Sequence, residues 1–171
     1  EGVTVHRGTI QDAGITKICS DNLFMAYSHI AHDCEVGNGN VFANNAGIAG
    51  HVVMGNNITL GALTTVHQFC KLGDFSFVGM NTSINMDIPA YVKVAADPAR
   101  VIGLNTVGMT RNDISSESIS LIKKAFKLTY MKKLKIDHAI DKIKNLNKNK
   151  NDPYLDIFIK SIELSERGIL R

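Results

Sequence analysis

An apolar side chain recurs every six residues through much of this chain. Stepping from Ile18, the positions are Ile18, Phe24, Ile30, Val36, Phe42, Ile48, Met54, Leu60, Val66, Leu72, Val78, Ile84 and Ala90. At 44% apolar composition, thirteen consecutive matches would arise by chance about once in ten thousand chains. The next position is usually small (Ala31, Gly37, Ala43, Ala49, Gly55, Gly61), and small residues recur four positions on at Ser28, Cys34, Ala46, Thr64, Cys70 and Ser76. A period of six fits neither the 3.6 of a helix nor the 2 of an extended strand. It fits very short strands joined by regular corners, where Gly and Asn accept the left-handed backbone. Asn44-Asn45 and Asn56-Asn57 are the expected corner pairs.

The pattern resembles the hexapeptide repeats of left-handed parallel β-helices, in which three hexads make one eighteen-residue coil. That resemblance implies a mainly β fold over residues 1–100, with "TIQDAGITK" (9–17) breaking the frame as a loop insertion. Residues 101–114 read as a connection. From 115 to 171 the period becomes helical. "SISLIKKAFKLTYMKK" sets Ile119, Ile122, Ala125, Phe126 and Tyr130 on one face, opposite lysines. "IDHAIDKIKNL" and "DPYLDIFIKSIEL" read as two more helices, with Asp152 capping the second before Pro153. A small α-helical C-terminal domain is therefore expected.

No window approaches the ~18 consecutive apolar residues of a membrane span, and no signal-peptide pattern opens the chain. Its first residues, "EGVTVHRGT", alternate like a strand and carry no starting methionine, so the chain reads as the interior of a longer protein. Cys19, Cys34 and Cys70 lack CxxC spacing and suit reduced thiols in a cytoplasmic protein. Charge is unevenly spread. Through Ile114 there are six Lys/Arg against nine Asp/Glu; after it, thirteen against seven. The basic helices would attract an acidic partner. They lack the interleaved aromatics and helix-turn-helix pattern of a nucleic-acid binder, so no nucleic acid is expected.

Eighteen-residue coils stack Ile30, Ile48 and Val66 about 4.8 Å apart. His29 and His32 flank the first, His51 follows the second by three, and His67 follows the third by one. Four of the six histidines thus converge on one edge. Imidazoles could hold zinc, as in the gamma-class carbonic anhydrases, which are also left-handed β-helices. Alternatively Asp33 could orient His32 as a base that activates a hydroxyl, although a carboxylate serves a metal-bound histidine equally well. The residue types alone leave both readings open.

The particular segments narrow the choice. "VHRGT" (5–9), "HIAHDC" (29–34), "NNAGIAGHV" (44–52), "TTVHQFC" (64–70), "DIPAYV" (87–92) and the closing "RGILR" resemble the UDP-N-acetylglucosamine O-acyltransferases of lipid A synthesis, less their N-terminal coils. The resemblance implies transfer of a 3-hydroxyacyl chain from acyl carrier protein to the 3-hydroxyl of UDP-N-acetylglucosamine. His32 then matches the general base, Asp33 its orienting partner, and the Gly50 N–H the oxyanion donor. His29, His51, His67 and Gln68 match residues lining the substrate pocket, and Asn105 and Arg111 residues near the UDP moiety. Met80 falls where the family's acyl groove is measured off, and a methionine there would shorten it. Val107 stands where members can carry an acidic residue. The resemblance further implies a cytoplasmic homotrimer with sites between subunits and neither metal nor cofactor. A coenzyme A-dependent acetyltransferase is the other hexapeptide-repeat alternative.

Overall fold

The computed structural model describes residues 1–11 and 14–171. Residues 12 and 13, inside the loop expected at 9–17, lie outside the described residues.

The hexads fold into two-residue strands that distribute in strict rotation over three parallel sheets. The first sheet holds β1 (Thr4–Val5), β4 (His29–Ile30), β7 (Gly47–Ile48), β10 (Thr65–Val66) and β13 (Ser83–Ile84). The second holds β2 (Lys17–Ile18), β5 (Glu35–Val36), β8 (Val53–Met54) and β11 (Lys71–Leu72). The third holds β3 (Leu23–Phe24), β6 (Val41–Phe42), β9 (Thr59–Leu60), β12 (Phe77–Val78), β14 (Val92–Ala95) and an antiparallel β15 (Arg100–Leu104). His29 faces Gly47, Gly47 faces Thr65, and Thr65 faces Ser83, so each rung advances one eighteen-residue coil. This is the left-handed parallel β-helix that the repeat predicts, about four turns long.

The apolar member of each strand points inward. Ile30, Ile48, Phe42, Leu60 and Val78 are essentially inaccessible, and so are Ser28, Cys34, Asn40, Ala46, Thr64 and Cys70 four residues after the apolar positions. Two inward side chains per hexad fill a narrow triangle, which is why the second is usually small. Burying each large aliphatic side chain contributes about 1.5–3 kcal/mol.

The corners use more than Gly and Asn. Asn45 and Asn57 have the left-handed φ expected of them, but so do Tyr27, Asp33, His51, Leu63, Phe69 and Phe75, with φ between +57° and +65°. A left-handed residue costs about 1–2 kcal/mol. Here the peptide N–H at four of these corners donates to a carbonyl on the adjoining coil: His51 to His32 (3.1 Å), Leu63 to Asn44 (3.0 Å), Phe69 to Gly50 (3.2 Å) and Phe75 to Asn56 (2.8 Å). The stack therefore holds bulky residues in a conformation they would otherwise avoid.

The hexad frame slips in the last coil. Ile88, rather than Ala90, bridges to Leu72, and Val94 pairs with Val78. Ala90 is buried but occupies no rung. Residues 101–114, read as a connection, contain most of β15 and a short helix, α1 (Thr106–Arg111). The C-terminal helices are α2 (Ser116–Phe126), which continues through a π-helical turn at Lys127–Met131, α3 (Ile136–Asn147) and α4 (Pro153–Glu163). Asp152 caps α4 through Leu155 N (2.9 Å) and accepts from Ser118 Oγ near the start of α2 (2.5 Å), which ties the two N-termini together.

The chain's last residues latch back onto the end of the β-helix through buried Asp87. Its Oδ2 accepts from Ser165 Oγ (2.7 Å), Glu166 N (3.1 Å) and Arg167 N (3.2 Å), and its Oδ1 from Lys71 N (2.7 Å). Hydrogen bonds to a charged group contribute about 1.5–3 kcal/mol each and are not additive. Asp87→Ala is expected to destabilise the protein by about 3 kcal/mol. Equilibrium urea unfolding checks this, and an unchanged midpoint would remove Asp87 from the latch.

Candidate active site

His32 and Asp33 follow β4, at the edge where the chain leaves the first sheet for the second. The left-handed backbone of Asp33 (φ +57°) brings its carboxylate beside its own predecessor, with Oδ2 2.9 Å from His32 Nδ1. The Asp33 side chain is 2% exposed and that of His32 41%, so the carboxylate is hidden and the imidazole is reachable.

Thr9 closes over this carboxylate. Its N–H is 2.9 and 3.0 Å from the two oxygens and its hydroxyl is 2.6 Å from Oδ2, while Asp33 N donates to Thr16 Oγ1 (2.9 Å). The Thr9 hydroxyl foremost, with the Thr9 N–H, His32 and nearby His51, holds the Asp33 carboxyl down to about 2 against the opposing effect of burial. A depressed carboxyl stabilises the fold above its ordinary value of 3.8, and that contribution is lost as pH falls through about 2. Asp33 is thus an anion at any physiological pH. An ionised carboxylate only accepts, so His32 Nδ1 carries a proton, and the neutral ring has its lone pair on Nε2.

The next coil supplies Gly50 and His51. The His51 ring meets His32 edge-on (5.2 Å between centroids, 87°) and stacks on Phe69 one coil further (4.7 Å, 14°). A Cβ on Gly50 would lie 2.6 Å from His32 Cε1, so the imidazole rests directly on the glycine backbone. The Gly50 N–H meets no acceptor among the described residues. The corresponding N–H groups of Asn38 and Asn56, on another edge, are accepted by Asn56 Oδ1 (2.9 Å) and Asp74 Oδ1 (3.0 Å).

The histidines expected on this edge divide. His32 and His51 come together. His67 is exposed and donates from Nδ1 to Gln68 O (3.1 Å), and Gln68, also exposed, shares the column of His32 and Gly50. His29 faces outward from the first sheet, 2.7 Å from Thr4 Oγ1 and edge-on to His6 (5.1 Å), and burial followed by the His6 charge lowers its pKa. A cleft of about 830 Å³ opens in front of His32, lined by Val5, His6, Arg7, Gly8, Thr9 and Ile10. Sequence reasoning missed His6, Thr9 and Phe69 as individual functional candidates. His6 and Thr9 lie within "VHRGT" and Phe69 within "TTVHQFC", two of the segments that carry the family resemblance.

Other expected site residues occupy other edges. Asn105 caps α1 through Gly108 N (3.0 Å) and donates to Phe75 O (2.9 Å), at the edge between the second and third sheets. Arg111, at the end of α1, is exposed. Met80 lies on the third edge, between the third and first sheets, and is 70% exposed. One copy of the chain does not bring these residues to His32.

Residues 87–170 match the model of domain 2 of the UDP-N-acetylglucosamine O-acyltransferases, and residues 15–50 match the bacterial transferase hexapeptide repeat. The acyl-[acyl-carrier-protein]–UDP-N-acetylglucosamine O-acyltransferase of Ectopseudomonas mendocina is 43% identical over all 171 residues. The UDP-N-acetylglucosamine O-acyltransferase of Moraxella catarrhalis superposes over the whole chain at 43% identity with a TM-score of 0.95. The chain belongs to this family. The Arabidopsis UDP-N-acetylglucosamine acyltransferase, at 32% identity, covers the whole chain with a TM-score of 0.92. The chain spans 66% of the Ectopseudomonas and Moraxella proteins and 62% of the Arabidopsis protein.

In this UDP-N-acetylglucosamine O-acyltransferase family chain, donor atoms of His32, Asp33 and His51 all lie within 4.8 Å of one another, a grouping able to hold a metal ion. The hydrogen bonds count against Asp33 as a ligand. Its oxygens already accept from both Thr9 donors and from His32, with Oδ2 taking the Thr9 hydroxyl and the His32 contact.

Proposed function

We propose that the protein, as a homotrimer in the cytoplasm, transfers a 3-hydroxyacyl chain from acyl carrier protein to the 3-hydroxyl of UDP-N-acetylglucosamine, the first step of lipid A synthesis. The observation that carries this reading is the His32 imidazole, held by Asp33 and resting on Gly50, whose N–H is unclaimed by any described residue. His32 Nε2 takes the proton of the sugar hydroxyl as its oxygen attacks the thioester carbon. Asp33 stabilises the imidazolium that forms. The Gly50 N–H donates to the tetrahedral oxyanion, a type of contact worth about 2.7–4 kcal/mol. Collapse breaks the carbon–sulfur bond, and His32 returns the proton to the departing thiolate. No metal or cofactor takes part.

Three further observations support the proposal. His32, Asn105 and Met80 sit on three edges of one prism, so copies related by a threefold axis could bring the missing groups together. Lys123, Lys124, Lys127, Lys132 and Lys133 are exposed on the C-terminal helical segment, where they suit an acidic carrier. Among the described residues no helix is long and apolar enough to cross a membrane, and the three cysteines are unpaired, as suits a reducing compartment. On this reading His29, His51, His67, Gln68, Asn105 and Arg111 bind substrate.

The test is turnover of UDP-N-acetylglucosamine by full-length protein with 3-hydroxyacyl carrier proteins of graded chain length, beside Met80→Gly. Wild-type protein is expected to prefer a shorter chain, and Met80→Gly to shift the optimum by several carbons towards longer ones. An unmoved optimum removes Met80 from the acyl groove. Turnover confined to acetyl-coenzyme A would favour the acetyltransferase alternative. The His32–Asp33–His51 grouping favours a metal-dependent hydratase as the second reading, which stoichiometric zinc and absent acyl transfer would support.

A further inference from the structure

The hexad frame fails between β1 and β2, and the residues flanking the failure converge on Asp33. Between the first two rungs of the first sheet, Thr4 to His29 is a step of twenty-five residues, seven more than the eighteen between His29 and Gly47. Within this longer step Thr9 and Thr16 are both bonded to Asp33. We propose that Thr9 is a positioning residue, which clamps the Asp33 carboxylate so that one oxygen faces His32 Nδ1, while Thr16 fixes the Asp33 backbone. The inference rests on the functional reading above and gives the insertion a purpose within it.

The geometry supplies the reason. A carboxylate's terminal torsion is soft, so one bond to His32 would not hold its plane. Thr9 grips it twice, through the backbone N–H across both oxygens and through the hydroxyl on Oδ2, the same oxygen that faces His32. The titratable groups facing the carboxylate are His32 on its own corner and His51 on the next coil, and Cys34 follows it into the core. With Thr9 removed, the buried oxygens would lose their nearest donor and turn towards water or His51. The imidazole would then lose the partner that fixes its tautomer.

Thr9→Val and Thr9→Ser in full-length protein test this. Steady-state kinetics should show kcat down about tenfold or more in the valine variant, in the range seen when outer partners of a functional histidine are removed. KM should be unchanged, and the serine variant should stay within about threefold of wild type. Carboxyl-labelled NMR gives a readout independent of turnover. Asp33 in wild type should stay ionised down to about pH 3, and in Thr9→Val it should titrate at least one unit higher, with serine restoring it. If valine prevents folding, as judged by circular dichroism, Thr9→Ala is read in the same way. An unshifted Asp33 titration, a change in KM alone, or a serine variant as impaired as valine would overturn the clamp. If wild-type protein transfers no acyl chain, the functional reading fails by itself and the Asp33 titration alone decides the clamp.

Discussion

His32→Ala is expected to lower turnover of UDP-N-acetylglucosamine by about 10³-fold, near the middle of the 10²–10⁴ range for a positioned general base. A sugar hydroxyl is too weak an acid to lose its proton unaided at neutral pH, and His32 has both an orienting carboxylate and a partly exposed side chain. The fold should scarcely notice the change. The side chain is 41% exposed, and its removal leaves the Asp33 oxygens still bonded to Thr9. Circular dichroism and the urea midpoint should therefore match wild type while activity collapses. Wild-type turnover in a folded His32→Ala protein would refute the base. A loss accompanied by unfolding would be separated by His32→Gln, which keeps the volume and supplies no base.

The coil stack was legible because its information is local and repeated. Each hexad states which residue points inward, and stacking follows from the period, so Ile30, Ile48 and Val66 could be aligned without a structure. His32 and His51 met for the same reason. Thr9 was not legible as Asp33's partner. Their contact spans twenty-four residues and crosses a stretch where the period fails, so no register could be counted through it. The left-handed corners at Tyr27, Leu63 and Phe75 were also hidden. Residue preference points away from them, and only hydrogen bonds between coils reverse it. The frame slip at Ile88 has the same character: Ala90 is apolar and fits the pattern, but the rung belongs to the residue whose backbone reaches Leu72. Met80 and Asn105, placed by resemblance with His32, occupy different edges because the period says which edge a residue occupies and nothing about how copies associate.

Gly50→Ala is the sharper probe, because it should separate catalysis from folding with a single methyl group. The added Cβ would lie 2.6 Å from His32 Cε1 and 2.9 Å from Nε2, closer than real contacts allow, and 3.1 Å from Nδ1, which is tight. The φ of Gly50 lies outside the left-handed region, so alanine brings no such backbone penalty. The strain falls on the imidazole, which must move several tenths of an ångström and stretch its 2.9 Å contact with Asp33. Misplacing a reacting group by about 1 Å can cost 10²-fold, and a loss of about that size in kcat/KM is expected with a near-wild-type unfolding midpoint. Gly47→Ala is the control. Its Cβ would sit 3.5 Å from His29 Cβ, an ordinary contact, and turnover should stay within about twofold. The double variant His32→Ala/Gly50→Ala completes the cycle. With the ring gone, the methyl has nothing to displace, so the second substitution should add little to the loss from the first. If the two losses instead multiply, the methyl acts without the imidazole, through the N–H it shields, and Gly50's contribution lies in the oxyanion contact rather than in seating His32.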